Sequence, residues 1–405
     1  MRRFAAILVQ RFTSGFSRKT LFAMRHTRLA ILAALFLSVC VSLCVPRGFA
    51  QTHSAQTPKK ASQPQALKLA AVKMGDKWGY INTKGKMVIA PQFDFAHDFY
   101  EGLAGVEIDK KWGYIDKTGK MVIAPQSGFG LAFSEGRARV CVDHKWGFID
   151  KTGKMVVAPQ YDQAFDFAGG LAFVSNEKWK WGYIDPAGTM VIPQQFEDED
   201  RYSSRFSEQL AAVGLDDKWG YIDKTGRFVI AAQFYSGLPF SEHLARVKGD
   251  HKWGYIDHSG TMVISLPNDQ YEELGYFHEQ RALADVHQAD KEHSLRGYID
   301  TTGKMVIAPQ FKPVDDRDQD NPDFAWNCYY VGNFSEGLAA VTLGEKWGYI
   351  DATGKMVITP QFDDARDFYG GLAAVEIGKK WGFINKTGQM VIAPQFDMQQ
   401  CGFKD

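Results

Sequence analysis

Cysteine is scarce in this chain, with five in 405 residues. Cys40 and Cys44 fall within the first 50 residues, while Cys141, Cys328 and Cys401 lie far apart. One disulfide is possible in an oxidising compartment, but a disulfide framework is excluded. Neither charge sign is in excess, with 47 basic and 47 acidic residues. Without a basic stripe the chain is a poor match for nucleic acid, which is set aside as a partner. A phosphate-cradling glycine loop, a nucleophile elbow and paired cysteine ligands are all missing, because the glycines fall at hairpin turns and not at strand-to-helix turns. No catalytic residue and no cofactor are therefore expected, and the chain is read as a non-enzyme.

Acidic residues are absent from residues 1–50. Within them one apolar run, Leu29 to Val45, is preceded by Arg25, His26 and Arg28 and followed by Gly48-Phe49-Ala50. This is the layout of a secretory signal peptide cleaved after Ala50, with Met24 as an alternative start. No stop-transfer pattern follows, so membrane contact is expected only through this leader, and the mature protein is expected to be secreted or periplasmic. Eight of the 47 basic residues belong to the leader, leaving 39 against 47 acidic residues and a net charge of −8. Residues 51–66 are polar, contain Pro58 and Pro64, and read as a disordered linker.

Aromatic residues and glycine are plentiful, and their order is periodic. The stretch Lys111-Trp112-Gly113-Tyr114-Ile115-Asp116-Lys117-Thr118-Gly119-Lys120-Met121-Val122-Ile123-Ala124-Pro125-Gln126 returns with small edits along the chain. Its anchors are Trp78, Trp112, Trp146, Trp181, Trp219, Trp253, Trp347 and Trp381, and Arg296 takes the same place in a degenerate ninth copy. Steps between anchors are 34, 34, 35, 38, 34, 43, 51 and 34 residues. Such a period makes each copy one supersecondary unit that stacks on its neighbours.

The unit reads as strand. Trp112, Tyr114 and Asp116 alternate with Gly113 and Ile115, and Met121 to Ala124 forms a returning strand that Pro125 is expected to end. Gly119, Gly354 and their counterparts close the intervening loop, where a positive φ is expected. Segments such as Phe334-Ser335-Glu336-Gly337-Leu338-Ala339 lead into a further strand. Each unit is thus expected to hold three antiparallel strands and a Pro-Gln-Phe corner. The fold class is all-β, a tandem array of nine units over residues 67–398 with a tail at 399–405. The last copy stops at its corner, leaving no visible half-unit for strand exchange, so an open curved or superhelical solenoid is expected, with propeller-like closure as the alternative.

The Trp-Gly pair followed by an aromatic residue, Ile and Asp, the glycine turn and the Pro-Gln-Phe corner resemble the bacterial WG-repeat family, over about Leu69 to Phe396. The resemblance implies a β-repeat array, often on exported proteins, that serves as a binding module. It carries no catalytic residues to transfer.

Residues repeated in every copy are most simply structural, because catalysis needs one unique constellation. The anchor tryptophans are expected in packing, although a tryptophan ladder could also stack on sugars. Two departures stand out, at 268–296 and 312–333. The first holds His278, His287 and His293 at spacings that match no zinc signature. The second places Asp316, Asp318 and Asp320 at alternate positions of a possible calcium loop, but Asn327 stands where an EF-hand needs a bidentate carboxylate. Phe324, Trp326, Tyr329 and Tyr330 follow as candidate partner-binding residues. The expected function is an exported, non-catalytic scaffold that binds protein in the bacterial envelope, with a cell-surface carbohydrate-binding module as the alternative. Intact mass of protein from the native host should place the mature N-terminus at Gln51; retention of Leu29 to Val45 would reject cleavage.

Overall fold

Each copy of the unit folds into one small antiparallel sheet through two hairpins. The computed structural model describes residues 68–403 apart from 127, 177–179, 198–203, 251, 268–269, 289–293, 313–331 and 400–402. In the second sheet Leu103–Ile108 pairs with Lys111–Asp116, which pairs in turn with Met121–Gln126. Asp116 organises the turn between the last two. Its Oδ1 accepts hydrogen bonds from the Thr118 N–H (2.9 Å), the Thr118 hydroxyl (2.6 Å) and the Lys120 N–H (3.1 Å). The hydroxyl bond from Thr118 is the main reason its carboxyl sits below the usual range. Gly119 completes the turn at φ +85°, and Gly354 does the same at φ +84°.

Proline does not end the returning strand. In the first sheet that strand is Met87–Phe93, with Tyr80 opposite Ile89 and Trp78 opposite Phe93. Gly79 alone therefore faces three residues on the other strand, and Ala90-Pro91-Gln92 forms a bulge. Proline fits there because a bulge leaves its residue out of the ladder. The bulge lies directly against the glycine of Trp-Gly: a Cβ on Gly79 would sit 2.6 Å from the Ile89 carbonyl oxygen and 2.8 Å from the Pro91 nitrogen. The other eight copies repeat the obstruction, with the nearest such oxygen 2.3–2.7 Å away. Close backbone approach, not a positive φ, requires this glycine.

The expectation of three strands per unit is corrected to a larger sheet. Seven of the nine sheets among the described residues have four strands and two have three. The added strand follows the Pro-Gln-Phe corner and is often two residues long, as in Phe95–Ala96, Gln163–Ala164 and Asp364–Ala365. It pairs with the Leu-Ala strand of the next copy, so each sheet opens just after a corner. The irregular segment at 268–296 supplies the seventh sheet with long strands, Tyr271–His278 and Arg281–His287.

The open solenoid is likewise corrected: the nine sheets form a closed ring, a nine-bladed β-propeller. Leu69–Met74 in the first sheet takes its outer neighbour from the far end of the chain, with Val72 opposite Gln399 and Lys73 opposite Met398. The closing strand, Met398–Gln399, thus joins the last residue given to the array and the first given to the tail. Asp397 accepts from the Gly75 N–H at 2.8 Å, and its own N–H donates to the Lys73 carbonyl at 2.9 Å. The same arrangement joins Asp94 to Asp109 and Glu107 between the first and second copies.

Ring closure lets every sheet be covered on both faces. Leu69-Ala70-Ala71-Val72 and Trp78-Gly79-Tyr80-Ile81 are buried throughout, because a neighbouring sheet lies on each side. One contact recurs at all nine boundaries: the turn glycine of one sheet meets the central isoleucine or valine of the sheet before it, as Gly119 meets Ile89. At the closure Gly85 meets Ile392. A second contact is aromatic, as in Tyr80 with Phe99 at 4.9 Å between ring centroids, and Phe383 with the buried Phe403 closes the set at 5.0 Å.

Gly348→Ala should lower the denaturant midpoint by the equivalent of roughly 1–3 kcal/mol, because its Cβ would collide with the Ile358 carbonyl and Pro360. Gly344→Ala, at φ +72° but in open space, should cost about 1–2 kcal/mol at most. If Gly348→Ala proves neutral, the bulge does not dictate the Trp-Gly glycine.

Candidate functional site

The polar residues that recur from copy to copy are used between sheets. Tyr80 donates its hydroxyl to the His97 carbonyl (2.7 Å), Tyr114 to Leu131 (2.7 Å) and Tyr349 to Arg366 (2.8 Å), each on the next sheet. Burial pushes these phenols up; for Tyr114 and Tyr349 burial leads over the neighbouring charges. Ser134, Ser207, Ser241 and Ser335 donate to Phe167, Phe240, Phe277 and Phe368 carbonyls one copy further on.

Glutamates of the Phe-Ser-Glu-Gly turns form a chain from turn to turn. Glu135 accepts from the Gly169 and Gly170 N–H groups at 2.8 and 2.7 Å, Glu242 from Glu279 and Gln280 at 2.6 and 2.8 Å, and Glu336 from Gly371 at 2.9 Å. In two copies a lysine joins the carboxylate: Lys151 reaches Glu101 and Lys386 reaches Glu336, both at 3.1 Å. Partial burial pushes Glu101 and Glu336 up, and the hydrogen bonds and charge around them more than offset it, so both end below the usual carboxylate range. These carboxylates hold turns together and do not converge on a common point.

The anchor tryptophans are buried to within 9% exposure, except for the half-buried Trp146. Their rings are also covered: Phe95 and His97 lie on Trp112, Phe173 stacks on Trp181 at 4.5 Å, and the guanidinium groups of Arg139, Arg246 and Arg366 lie over Trp146, Trp253 and Trp381. A sugar-stacking ladder of these rings is therefore not available. His97 is itself buried, which pushes its imidazole down to about 4 and keeps it neutral.

Other departures from the repeat change the chemistry locally. Arg296, in the place of tryptophan, is buried and makes a two-pronged ion pair with buried Asp285, 2.9 Å from Nε to Oδ1 and 3.0 Å from Nη2 to Oδ2. Asp285 lies directly opposite it on the adjoining strand. A second departure was not legible as a motif. Glu208, His243 and His258 bring one ligand-type atom each to within 4.8 Å of one another. His258 Nε2 lies 3.0 Å and His243 Nδ1 3.4 Å from Glu208 Oε2. The available signal was comparison between copies: His258 stands 50 residues after Glu208, as Lys151 stands after Glu101 and Lys386 after Glu336.

The residues expected to form a site at the second irregularity are not among these. Phe324, Trp326, Tyr329, Tyr330, Asp316, Asp318 and Asp320 lie outside the described residues, as does His293. His278 is half-buried, and His287 Nδ1 lies 3.3 Å from the Ser294 hydroxyl.

Nine small antiparallel sheets, one for each tandem unit, in a ring closed by pairing of the first described strand with the last, define a propeller of repeated β-units. The chain belongs to the WG containing repeat family, matched at residues 78–112, 112–146, 146–178, 181–219, 219–252, 253–286, 297–315, 328–347, 347–381 and 381–398. No curated protein matches it. Among solved structures it is similar to BamB from Moraxella catarrhalis, at 12% identity and a TM-score of 0.41 over 72% of this chain and 90% of that one. It is also similar to AztD from Citrobacter koseri, at 12% identity and a TM-score of 0.38 over 72% of this chain and 93% of that one. The ring described above rests on its own strand pairing and not on these similarities.

Arg296→Met should cost roughly 3–5 kcal/mol, because it strands the buried Asp285 carboxylate. The double variant R296W/D285T, which copies the Trp347–Thr342 pair of the eighth sheet, should recover most of that loss. Equal denaturation midpoints for Arg296→Met and the unaltered protein would show that the pair contributes nothing.

Proposed function

We propose that this chain is an exported, non-catalytic scaffold of the bacterial envelope that binds a protein partner along the exposed edges of its sheets. One observation carries the reading. Val88, Val122, Val191, Val229, Val263, Val357 and Val391 occupy the same place on seven returning strands and are 36–49% exposed. Each of these strands ends its sheet, so the valines line edges whose backbone groups are not all used by a neighbour. Scattered exposed apolar residues need no explanation, but a row at one repeated position offers a partner the same foothold again and again. On five of these seven edges, those of Val88, Val122, Val191, Val357 and Val391, a proline-bearing bulge interrupts the strand and discourages open-ended sheet growth. Export is supported by the leader's charge and hydropathy layout, and a non-catalytic role by the structural use of the repeated acids and tyrosines.

A triple variant, V122K/V191K/V229K, tests it. Exposed substitutions of this kind usually shift stability by no more than about 0.5 kcal/mol each. Partner capture from envelope extract of the native host should fall at least tenfold while the melting temperature holds. Undiminished capture would move the working surface away from these edges.

A further inference from the structure

We propose that Glu208, His243 and His258 form a binding site for one divalent transition-metal ion of the zinc class, held between the fifth and sixth sheets. Glu208 lies in the turn that leads into Ala211–Leu215 of the fifth sheet, and His243 in the turn before Ala245–Lys248 of the sixth. His258 sits in the hairpin turn between Lys252–Ile256 and Met262–Pro267. The repeat itself serves as the control. Glycine occupies the place of His243 in several sister turns, such as Gly136 and Gly337, and lysine the place of His258 in others, such as Lys151 and Lys386. Both changes to histidine occur around the same carboxylate. Where two sister copies give that carboxylate an ammonium, this one gives it two imidazoles, which can meet it through a shared metal ion.

The geometry suits such an ion. Its donors are Glu208 Oε2, His258 Nε2 and His243 Nδ1, with contacts of 3.0 and 3.4 Å to the carboxylate oxygen. A tetrahedral ion with bonds of about 2.0–2.1 Å separates neighbouring ligand atoms by roughly 3.3 Å. Two imidazole nitrogens and one carboxylate favour zinc, cobalt, nickel or copper over magnesium and calcium. His258 is oriented by stacking on Phe240, with ring centroids 4.3 Å apart and planes 11° from parallel. Glu208 is fixed by the His243 N–H, which donates to both of its oxygens at 3.1 Å. The His243 backbone holds a left-handed φ of +70°, so this side chain is kept at a place that glycine fills elsewhere. Its side chain is 87% exposed, which leaves the remaining coordination position open to water or to a partner's side chain. A bound ion ties adjacent sheets by one more link than the sister copies have.

Titration of the full chain with Co²⁺, followed by visible absorption, and with Zn²⁺, followed by melting temperature, tests the site. One equivalent of Co²⁺ with intense tetrahedral bands is expected, together with a rise in melting temperature on Zn²⁺ addition. Single variants H243G and H258K, which restore residues the sister copies carry, should each weaken binding at least tenfold, and the double variant should lose the bands. Glu208→Gln, which keeps a backbone acceptor but removes the charge, should weaken Co²⁺ binding by a similar factor and serves if the double variant fails to fold. Absence of Co²⁺ binding by the unaltered chain, or an unchanged spectrum and stoichiometry in the variants, would overturn the proposal.

Discussion

Everything in this structure depends on covering both faces of a sheet too small to stand alone. A sheet of three or four short strands is marginal in water unless its apolar faces are packed. Here both faces are apolar, since Leu-Ala-Ala-Val and Trp-Gly-Tyr-Ile are buried along their whole length. An open stack would leave two such faces exposed, one at each end. Closing the ring removes both at once, and it does so with the contacts already used elsewhere: a turn glycine on an isoleucine, an aromatic pair, and an aspartate that accepts a backbone N–H across the boundary. The closure is thus the ninth copy of an ordinary interface, which is why it needs no special sequence.

That economy explains what the sequence showed and what it hid. The period, the strands on either side of the glycine turn, and the role of Asp116 and Gly119 were legible, because each leaves a mark in alternation or turn chemistry. Met398–Gln399 left none, since two residues cannot show a period of two. The open solenoid followed from missing that strand. Proline misled for a related reason: it usually marks the end of a strand, yet Pro91 marks a bulge within one. The glycine of Trp-Gly could be seen to recur, but its cause is the carbonyl of Ile89 arriving from another strand, a long-range fact that no local pattern contains.

The candidate sites divide in the same way. Residues at 312–333 were picked out by insertion length, which signals a tolerant loop more than a chemistry. The cluster at Glu208 carries no insertion and no recognised metal spacing. It becomes visible only when His243 and His258 are placed on the fold and compared with Gly136 and Lys151, whose positions they take. In a repeated protein each sister copy states what the scaffold needs at a position, so a side chain that differs can be weighed against its counterparts on the same backbone.

Where the fold admits such differences follows from its mechanics. A change on a central strand must be matched locally, because the site is closed on both faces. Arg296 survives in place of tryptophan only with Asp285 opposite it. Turns obey a looser rule: their shape is set by a left-handed residue and by a glutamate accepting backbone N–H groups, and neither demand specifies the side chain next to the glutamate. His243 meets the first demand at φ +70° and leaves the second intact through its own N–H on Glu208. New chemistry can therefore enter this ring at its turns one residue at a time, whereas its strands accept it only in pairs.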